Sequence, residues 1–261
     1  MNIFTKTLLL CFAWISLGTT TEARPEIYKV IKVEGTIIYL ASGLKMARGD
    51  SFRSNEKLRF KSADSRAAVI SKSGGRFILT QKKANSRKSN LLPAISNISY
   101  RKGAILNDMD LRNYFQDSVV LMQKCAVKIE IDEYPLSMSG FFYITFRSSG
   151  EIIAKKLGFD GDDVLFERRS IFSIDGASIP VPSSQEVTLY YRNEIKNESE
   201  RISEFKLVTP DEKELLEELK IIRTESTSAD VVPEAQAYIA QFYGKIDRKE
   251  LRSWLPESYY Q

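Results

Sequence analysis

Short runs of alternating apolar and polar residues, each closed by turn residues, fill most of this 261-residue chain. Val127, Ile129 and Ile131 alternate with charged neighbours, which is the pattern of a strand that buries one face. Asp160-Gly161 and Asp175-Gly176 are strong signals for tight hairpin turns. Because these runs and turns recur roughly every 8 to 15 residues, they predict a mainly β protein with antiparallel sheets.

After residue 208 the apolar residues change to a helical period. Thr209-Pro210-Asp211-Glu212 is typical of a capping box with Pro at the first helical position, and Asp247 and Glu250 are predicted to cap a later helix. Stripes of apolar residues predict three short amphipathic helices, and they consist of Leu215, Leu216, Leu219, Ile222, Ala235, Tyr238, Ile239, Phe242, Leu251, Trp254 and Leu255.

Residues 1–23 have the features of a secretory signal peptide. Lys6 is basic, Leu8 to Leu17 forms an apolar run of about ten residues, and Thr21-Glu22-Ala23 places small residues before Arg24. This run is too short to span a bilayer, and no later run reaches about 18 consecutive apolar residues. We therefore expect export and no membrane span in the mature chain.

The absence of His and the scarcity of Cys exclude several kinds of site. The chain has no His and two Cys, which rules out Ser-His-Asp catalysis, Cys-His catalysis and imidazole-bound zinc or haem. Without residues 1–23 only Cys125 remains, in a predicted strand, so we expect a buried, inert thiol and no internal disulfide. Export without disulfides favours the periplasm or secretion from a bacterium, although the sequons at Asn97 and Asn197 leave a eukaryotic source open.

The first β unit contains a spaced set of turn glycines and apolar positions. They are Gly35, Gly49-Asp50, Leu58, Phe60, Ser65 to Val69, Gly74-Gly75, Phe77 and Leu79. Over residues 31–80 this set resembles the FecR-like β domain. The resemblance implies a small β-barrel that serves as an exported interaction module and carries no catalytic residue. Members that regulate sigma factors have a membrane helix before this domain, whereas here the predicted signal peptide takes that place.

Charge is divided unevenly along the chain. The net charge of residues 24–124 is +12 and that of residues 125–261 is −8. The two halves therefore either dock on each other, bind partners of opposite charge, or form ordinary solvated surfaces. If charge holds them together, we expect high salt to separate them.

These patterns divide the chain into five parts. They are a signal peptide (1–23), a basic FecR-like β domain (24–82), a linker or connector (83–123) in which Asn107 caps a short helix, an acidic antiparallel β-sandwich domain (124–208) and a C-terminal helical segment (209–261).

The most basic stretch follows the first β unit. Lys82, Lys83, Arg87 and Lys88 lie there among small polar residues, with no aromatic residue between them. Export and the missing aromatics argue against nucleic acid. The four side chains are candidates for binding an anionic envelope ligand, and the alternative is a solvated linker.

Clustered carboxylates offer two further interpretations. Asp160 to Asp163 holds three carboxylates, too few for a calcium loop, and a hairpin tip explains them better. Glu130, Asp132 and Glu133 would be candidates for a carboxylate-based hydrolase. The sequence predicts no cofactor and no metal.

Taken together, the patterns favour a non-enzymatic binding or scaffold protein of the bacterial cell envelope. It would act through protein–protein contacts of its β domains with another envelope protein. The alternatives are a binding module for an anionic envelope glycan or lipid, and a carboxylate-based hydrolase. The sequence leaves the oligomeric state open.

Overall fold

The structure, a computed structural model, describes residues 25–73, 75–81, 89–93, 104–228 and 230–259. Strands outnumber helices, which confirms the predicted mainly β fold with short C-terminal helices. The described residues form a first β unit, a β-sandwich and a group of C-terminal helices.

The first β unit contains seven described strands around one apolar core. They are β1 (Ile27–Glu34), β2 (Ile37–Tyr39), β3 (Ser51–Arg53), β4 (Leu58–Phe60), β5 (Arg66–Ser71), β6 (Arg76–Gln81) and β7 (Ser89–Pro93). Five form an antiparallel sheet in the order β3-β1-β5-β6-β7. Among the described strands of this unit, β2 and β4 pair with each other and not with the five-stranded sheet, so they form two sheets rather than one closed barrel.

Gly35 shows why the first turn of this unit requires glycine. Its φ is +74°, and a Cβ at this position would lie 2.6 Å from the Ser65 Oγ. That hydroxyl accepts a hydrogen bond from the Thr36 N–H at 3.2 Å. Both the backbone conformation and the close approach of the chain therefore depend on the missing side chain.

The sandwich contains ten described strands and two short helices. They are α1 (Asp108–Tyr114), β8 (Ser118–Val120), β9 (Lys124–Lys128), β10 (Gly140–Ser148), β11 (Glu151–Lys156), β12 (Gly158–Asp160), β13 (Asp163–Glu167), α2 (Arg168–Ile171), β14 (Ser173–Ile174), β15 (Ala177–Ser178), β16 (Ser184–Asn193) and β17 (Glu198–Val208). One sheet has the order β11-β10-β16-β17-β8 and the other β12-β13-β9. Their inner faces share one core, to which α1 adds Leu111 and its C-cap Phe115.

Local signals in this part of the chain were predicted correctly. Asp160 pairs with Asp163 across a two-residue hairpin turn, and Ile174 pairs with Ala177 across Asp175-Gly176. Asn107 caps α1, since its side chain accepts a hydrogen bond from the Asp110 N–H at 2.8 Å.

The C-terminal residues form the three predicted helices. They are α3 (Glu212–Glu225), α4 (Val232–Phe242) and α5 (Arg248–Trp254). The predicted cap of α3 was wrong. Asp211 is the N-cap and accepts from the Glu214 N–H at 2.8 Å, whereas the buried Thr209 hydroxyl donates to the Pro182 carbonyl.

These helices return to the first β unit. The sheet face that carries Ile31, Ala68, Ile70 and Ile78 belongs to the same buried cluster as the apolar residues of α3, α4 and α5. Val120, Met122 and Val208 of the sandwich region join this cluster. One apolar cluster therefore connects the three parts of the fold. Among the described residues, no helix is long and apolar enough to cross a membrane.

Candidate binding surface

The four basic residues predicted to bind an anionic ligand, Lys82, Lys83, Arg87 and Lys88, lie outside the described residues. Their role stays a prediction.

The outer face of the five-stranded sandwich sheet carries a group of aromatic and basic side chains. Strand alternation directs them away from the core, because Phe142, Ile144 and Phe146 occupy the intervening inward positions. We call this group the aromatic–basic face, and it consists of Phe141, Tyr143, Arg147, Lys156, Tyr190 and Arg192.

Strand register brings five of these side chains together, and Arg147 lies farther along β10, opposite Ile152. Tyr143 pairs across strands with both Tyr190 and Lys156, and Phe141 pairs with Arg192. The rings of Tyr143 and Tyr190 stack with centroids 5.0 Å apart and an interplanar angle of 11°. The Lys156 ammonium lies 3.6 Å from the centre of the Phe141 ring, a cation–π contact.

Among the described residues, the three buried apolar clusters do not include the aromatic side chains of this face. Phe141, Tyr143 and Tyr190 are instead partly exposed, and the neighbouring Ile152 is 66% exposed. Partly exposed rings beside cations suit an anionic partner that also offers apolar or planar groups.

The sequence patterns predicted these strands but not the aromatic–basic face. The signal was the aromatic residues at outward positions of two strands, which only their pairing brings together.

A cleft of about 520 Å³ lies where the three parts of the fold meet. Its charged lining is balanced, with Lys32, Arg66 and Lys206 beside Glu34, Asp211 and Glu214. The Arg66 guanidinium binds the Glu34 carboxylate at 2.6 Å, and Asp211 is already used as the α3 cap. This cleft therefore holds charges that largely satisfy one another.

Beside the cleft, a buried carboxylate links α3, α4 and β1. Glu218 is 2% exposed and lies 3.3 Å from the Lys32 ammonium. The hydroxyls of Tyr238 and Tyr243 donate to its other oxygen at 2.8 and 2.7 Å. Burial, reinforced by the Glu218 charge, raises the pKa of both tyrosines, so they remain donors at neutral pH. The cluster satisfies a buried charge and fixes helix positions.

A second buried carboxylate corrects a sequence prediction. Glu250 was expected to help cap α5, but that cap is Asp247, which accepts from the Lys249 and Glu250 N–H groups at 2.8 Å. Glu250 instead accepts from the N–H groups of Met122 and Gln123 at 2.7 and 3.0 Å. It ties α5 to the segment between β8 and β9, and burial raises its pKa to about 7.

Cys125 has the predicted buried environment. It is 3% exposed in β9, and burial raises the pKa of its thiol well above the usual value. The thiol is therefore protonated at neutral pH.

The carboxylates considered for hydrolysis and calcium lie apart from the aromatic–basic face. Glu130 pairs with Lys128, and Asp132 and Glu133 are exposed in the loop after it. Within the described ranges, no three His, Cys, Asp or Glu side chains cluster as metal ligands.

No protein-family model matches the chain, and no curated protein sequence matches it.

Proposed function

We propose that this chain is an exported, non-enzymatic binding protein of the bacterial cell envelope, which contacts another envelope protein through the aromatic–basic face. The observation that carries the proposal is the partly exposed group of Phe141, Tyr143 and Tyr190 on two paired strands within one sheet. The FecR-like pattern of residues 31–80 agrees with it, because that resemblance implies an interaction module.

The residue types of the face are those that dominate protein interfaces. Tyr and Arg are enriched among residues whose truncation costs the most binding free energy, because each combines a large contact area with a polar group. Here two tyrosines lie on adjacent strands, with Arg192 two residues along β16 from Tyr190 and Arg147 farther along β10. Pairing with both neighbours holds β10 in place, so little conformational entropy is lost when the face binds.

The cations of the face indicate the charge of the partner. Lys156 and Arg192 flank Phe141, and Arg147 extends the same strand face. An acidic surface would gain from these charges in association rate and in orientation. We therefore expect an acidic partner whose association slows as salt increases.

Affinity purification tests the proposal. The tagged chain is incubated with envelope extract, alongside the double variant Tyr143→Thr/Tyr190→Thr and the control Ile195→Thr, which changes an 84% exposed residue in the β16–β17 loop. We expect the wild type and the control to retain the same acidic protein and the double variant to lose it. Equal retention by all three would contradict the role of the face.

An anionic envelope glycan is the second candidate ligand. The observation that favours it is the Lys156 ammonium over the Phe141 ring, since rings beside cations suit sugars that carry carboxylate or phosphate groups. Binding of purified anionic polymer, lost in the Tyr143→Thr/Tyr190→Thr variant, would favour the glycan over a protein.

Export is the part of the proposal that mass spectrometry tests. We expect the mature N-terminus at Arg24 and the protein in the envelope or the medium. An intact Met1 in the cytoplasmic fraction would contradict it.

A further inference from the structure

We propose that two copies of this chain pair through β11, the edge strand of the five-stranded sandwich sheet, to form one continuous antiparallel sheet of ten strands. The inference does not depend on which ligand the aromatic–basic face binds. It rests on the free backbone groups of β11 and on the order of its side chains.

Among the described strands, β11 pairs only with β10. It has no proline, its register with β10 is unbroken, and Ile152 and Ala154 are exposed. An edge strand with these features presents unpaired N–H and C=O groups to another strand.

The backbone groups that face the free edge follow from the pairing with β10. The Leu157 N–H donates to the Phe142 carbonyl at 2.9 Å, so residue 157 faces β10. Successive residues of a strand direct these groups to opposite sides. Ile152, Ala154 and Lys156 therefore present their N–H and C=O groups at the free edge.

One register makes β11 complementary to itself. With the two-fold axis at Ile153, Ile152 of one copy lies opposite Ala154 of the other, and these two residues exchange backbone hydrogen bonds. Glu151 then lies opposite Lys155 on both sides of the axis. In the described chain neither Glu151 nor Lys155 belongs to an ion pair.

The neighbouring register is less favourable. An axis at Ala154 would place Ile152 opposite Lys156 and Ile153 opposite Lys155, so that each apolar side chain meets a charge. Edge lysines usually oppose strand addition. In the register centred on Ile153, the partner's Glu151 neutralises Lys155 instead.

This pairing has a structural consequence. Because the axis is perpendicular to the sheet, it places the two aromatic–basic faces on the same side of the ten-stranded sheet. A ligand with repeated sites could then bind both copies at once, with the avidity of two linked sites.

Analytical ultracentrifugation tests the dimer. Because a six-residue edge is a small interface, we expect the mass to rise from one copy to two between about 1 µM and about 1 mM. Ala154→Pro removes an N–H that faces the free edge and leaves the ladder with β10 intact, so this variant should stay monomeric. Ala154→Thr keeps the N–H and is the matched control. A wild type that is monomeric throughout, or a dimer that Ala154→Pro leaves unchanged, would overturn the proposal.

Charge reversal tests the register. Glu151→Lys and Lys155→Glu each place like charges opposite each other twice, and we expect either variant to weaken the dimer roughly tenfold. The double variant restores opposite charges and should recover wild-type dimerisation. Loss of the dimer in the double variant, with an unchanged unfolding temperature, would overturn the predicted register.

Disulfide trapping tests the axis directly. Directly opposed residues in a non-hydrogen-bonded pair have Cα atoms about 4.5 Å apart, which suits a disulfide. We expect Ile153→Cys to cross-link two copies on oxidation, with the linked peptide identified by mass spectrometry, and Ala154→Cys to cross-link much less. Stronger cross-linking of Ala154→Cys than of Ile153→Cys would place the axis at Ala154 and contradict the proposed register.

Discussion

Glu250 is a buried carboxyl group that accepts backbone hydrogen bonds and so fastens α5 to the segment between β8 and β9. It is 4% exposed, and one oxygen accepts both the Met122 and the Gln123 N–H. Among the described atoms, its other oxygen is buried without a hydrogen-bond partner. Burial favours the neutral acid over the carboxylate, and the nearby Asp247 charge adds to the effect, which raises the pKa to about 7.

This raised pKa predicts how stability depends on pH. The model-peptide value is 4.5, so between pH 4.5 and pH 7 the folded state holds a proton that the unfolded state has released. Stability is then highest below this window and falls as the pH rises through it, by roughly 1–3 kcal/mol. We expect Glu250→Gln to remove most of this slope in urea unfolding measured at pH 5 and pH 7.5.

Carboxyl groups whose pKa is lowered act at lower pH than this window, and Glu26 is one of them. The pKa values of Asp108 and Glu167 are lowered, chiefly by hydrogen bonds from Arg112 and Lys124, so the stability they contribute is lost only at lower pH. The matched control is Glu257→Gln, which changes an exposed carboxylate after α5. If the unfolding free energy of Glu250→Gln still falls between pH 5 and pH 7.5 as in the wild type, Glu250 is not the group responsible for the pH dependence.

Gly244 is a second position where one residue decides the local structure. Its φ is +136°, and a Cβ there would lie 2.5 Å from the Ser118 carbonyl oxygen. We expect Gly244→Ala to lower the free energy of unfolding by about 2 kcal/mol or more, because it adds both strain and overlap with backbone. Gly158→Ala is the control, since its Cβ would make an ordinary contact of 3.8 Å with Leu165. Similar chemical denaturation midpoints for the two variants would refute this explanation.

At the level of helices and strands, sequence patterns predicted which elements exist, and whether each is a helix or a strand, better than they predicted where each element begins and ends. Alternation over Val127 to Ile131 and the apolar stripe from Leu215 to Ile222 each correspond to a buried face. The α3 cap was misassigned because Thr209 and Asp211 are both good caps in sequence. Tertiary structure decided between them, since the Thr209 hydroxyl and N–H donate to the carbonyls of Pro182 and Ser183.

The cap of α3 gives a testable element-scale effect. Asp211→Ala removes the acceptor for the Glu214 N–H and a negative charge at the helix N-terminus, so we expect a loss of about 1 kcal/mol. Asp211→Asn keeps the acceptor and should lose only a few tenths of that amount. Thermal or urea unfolding measures both, and equal losses in the two variants would show that the hydrogen bond does not matter.

In the molecule as a whole, the contact between α3 and β1 joins the basic and acidic halves of the chain both by ion pairs and by buried apolar side chains. The acidic helix α3 lies against β1, where Lys29 pairs with Glu225 at 3.1 Å and Lys32 with Glu218 at 3.3 Å. The same contact buries Leu215, Leu219 and Ile222 completely. Burial of these apolar side chains is insensitive to simple salts. The buried Lys32–Glu218 pair is screened little by salt, and the partly exposed Lys29–Glu225 pair contributes little.

The apolar cluster should cancel the effect of salt that the charge pattern predicts. The charge pattern alone predicts that high salt separates the two halves, but an apolar cluster that spans them predicts that they stay together. We expect the radius of gyration from small-angle scattering to stay constant between 0.1 M and 1 M NaCl, while the Debye length falls from about 10 Å to about 3 Å. A radius that grows with salt would mean that charge pairing holds the halves in contact.

The local structure of this protein follows from patterns of neighbouring residues. Strand alternation, the hairpin turns at Gly161 and Gly176 and the Asn107 cap depend on neighbouring residues, so they follow from short-range sterics and hydrogen bonding. The buried state of Cys125 followed from the same alternation.

How these elements act together depends instead on contacts between distant parts of the chain. The aromatic–basic face exists because β10 and β16 pair in one register, and the free edge of β11 exists because among the described strands it has one neighbour. The return of the C-terminal helices to the first sheet likewise depends on which apolar faces remain uncovered after the strands have paired. Such contacts join residues far apart in the chain, and their free energy depends on shape and register that no local pattern encodes.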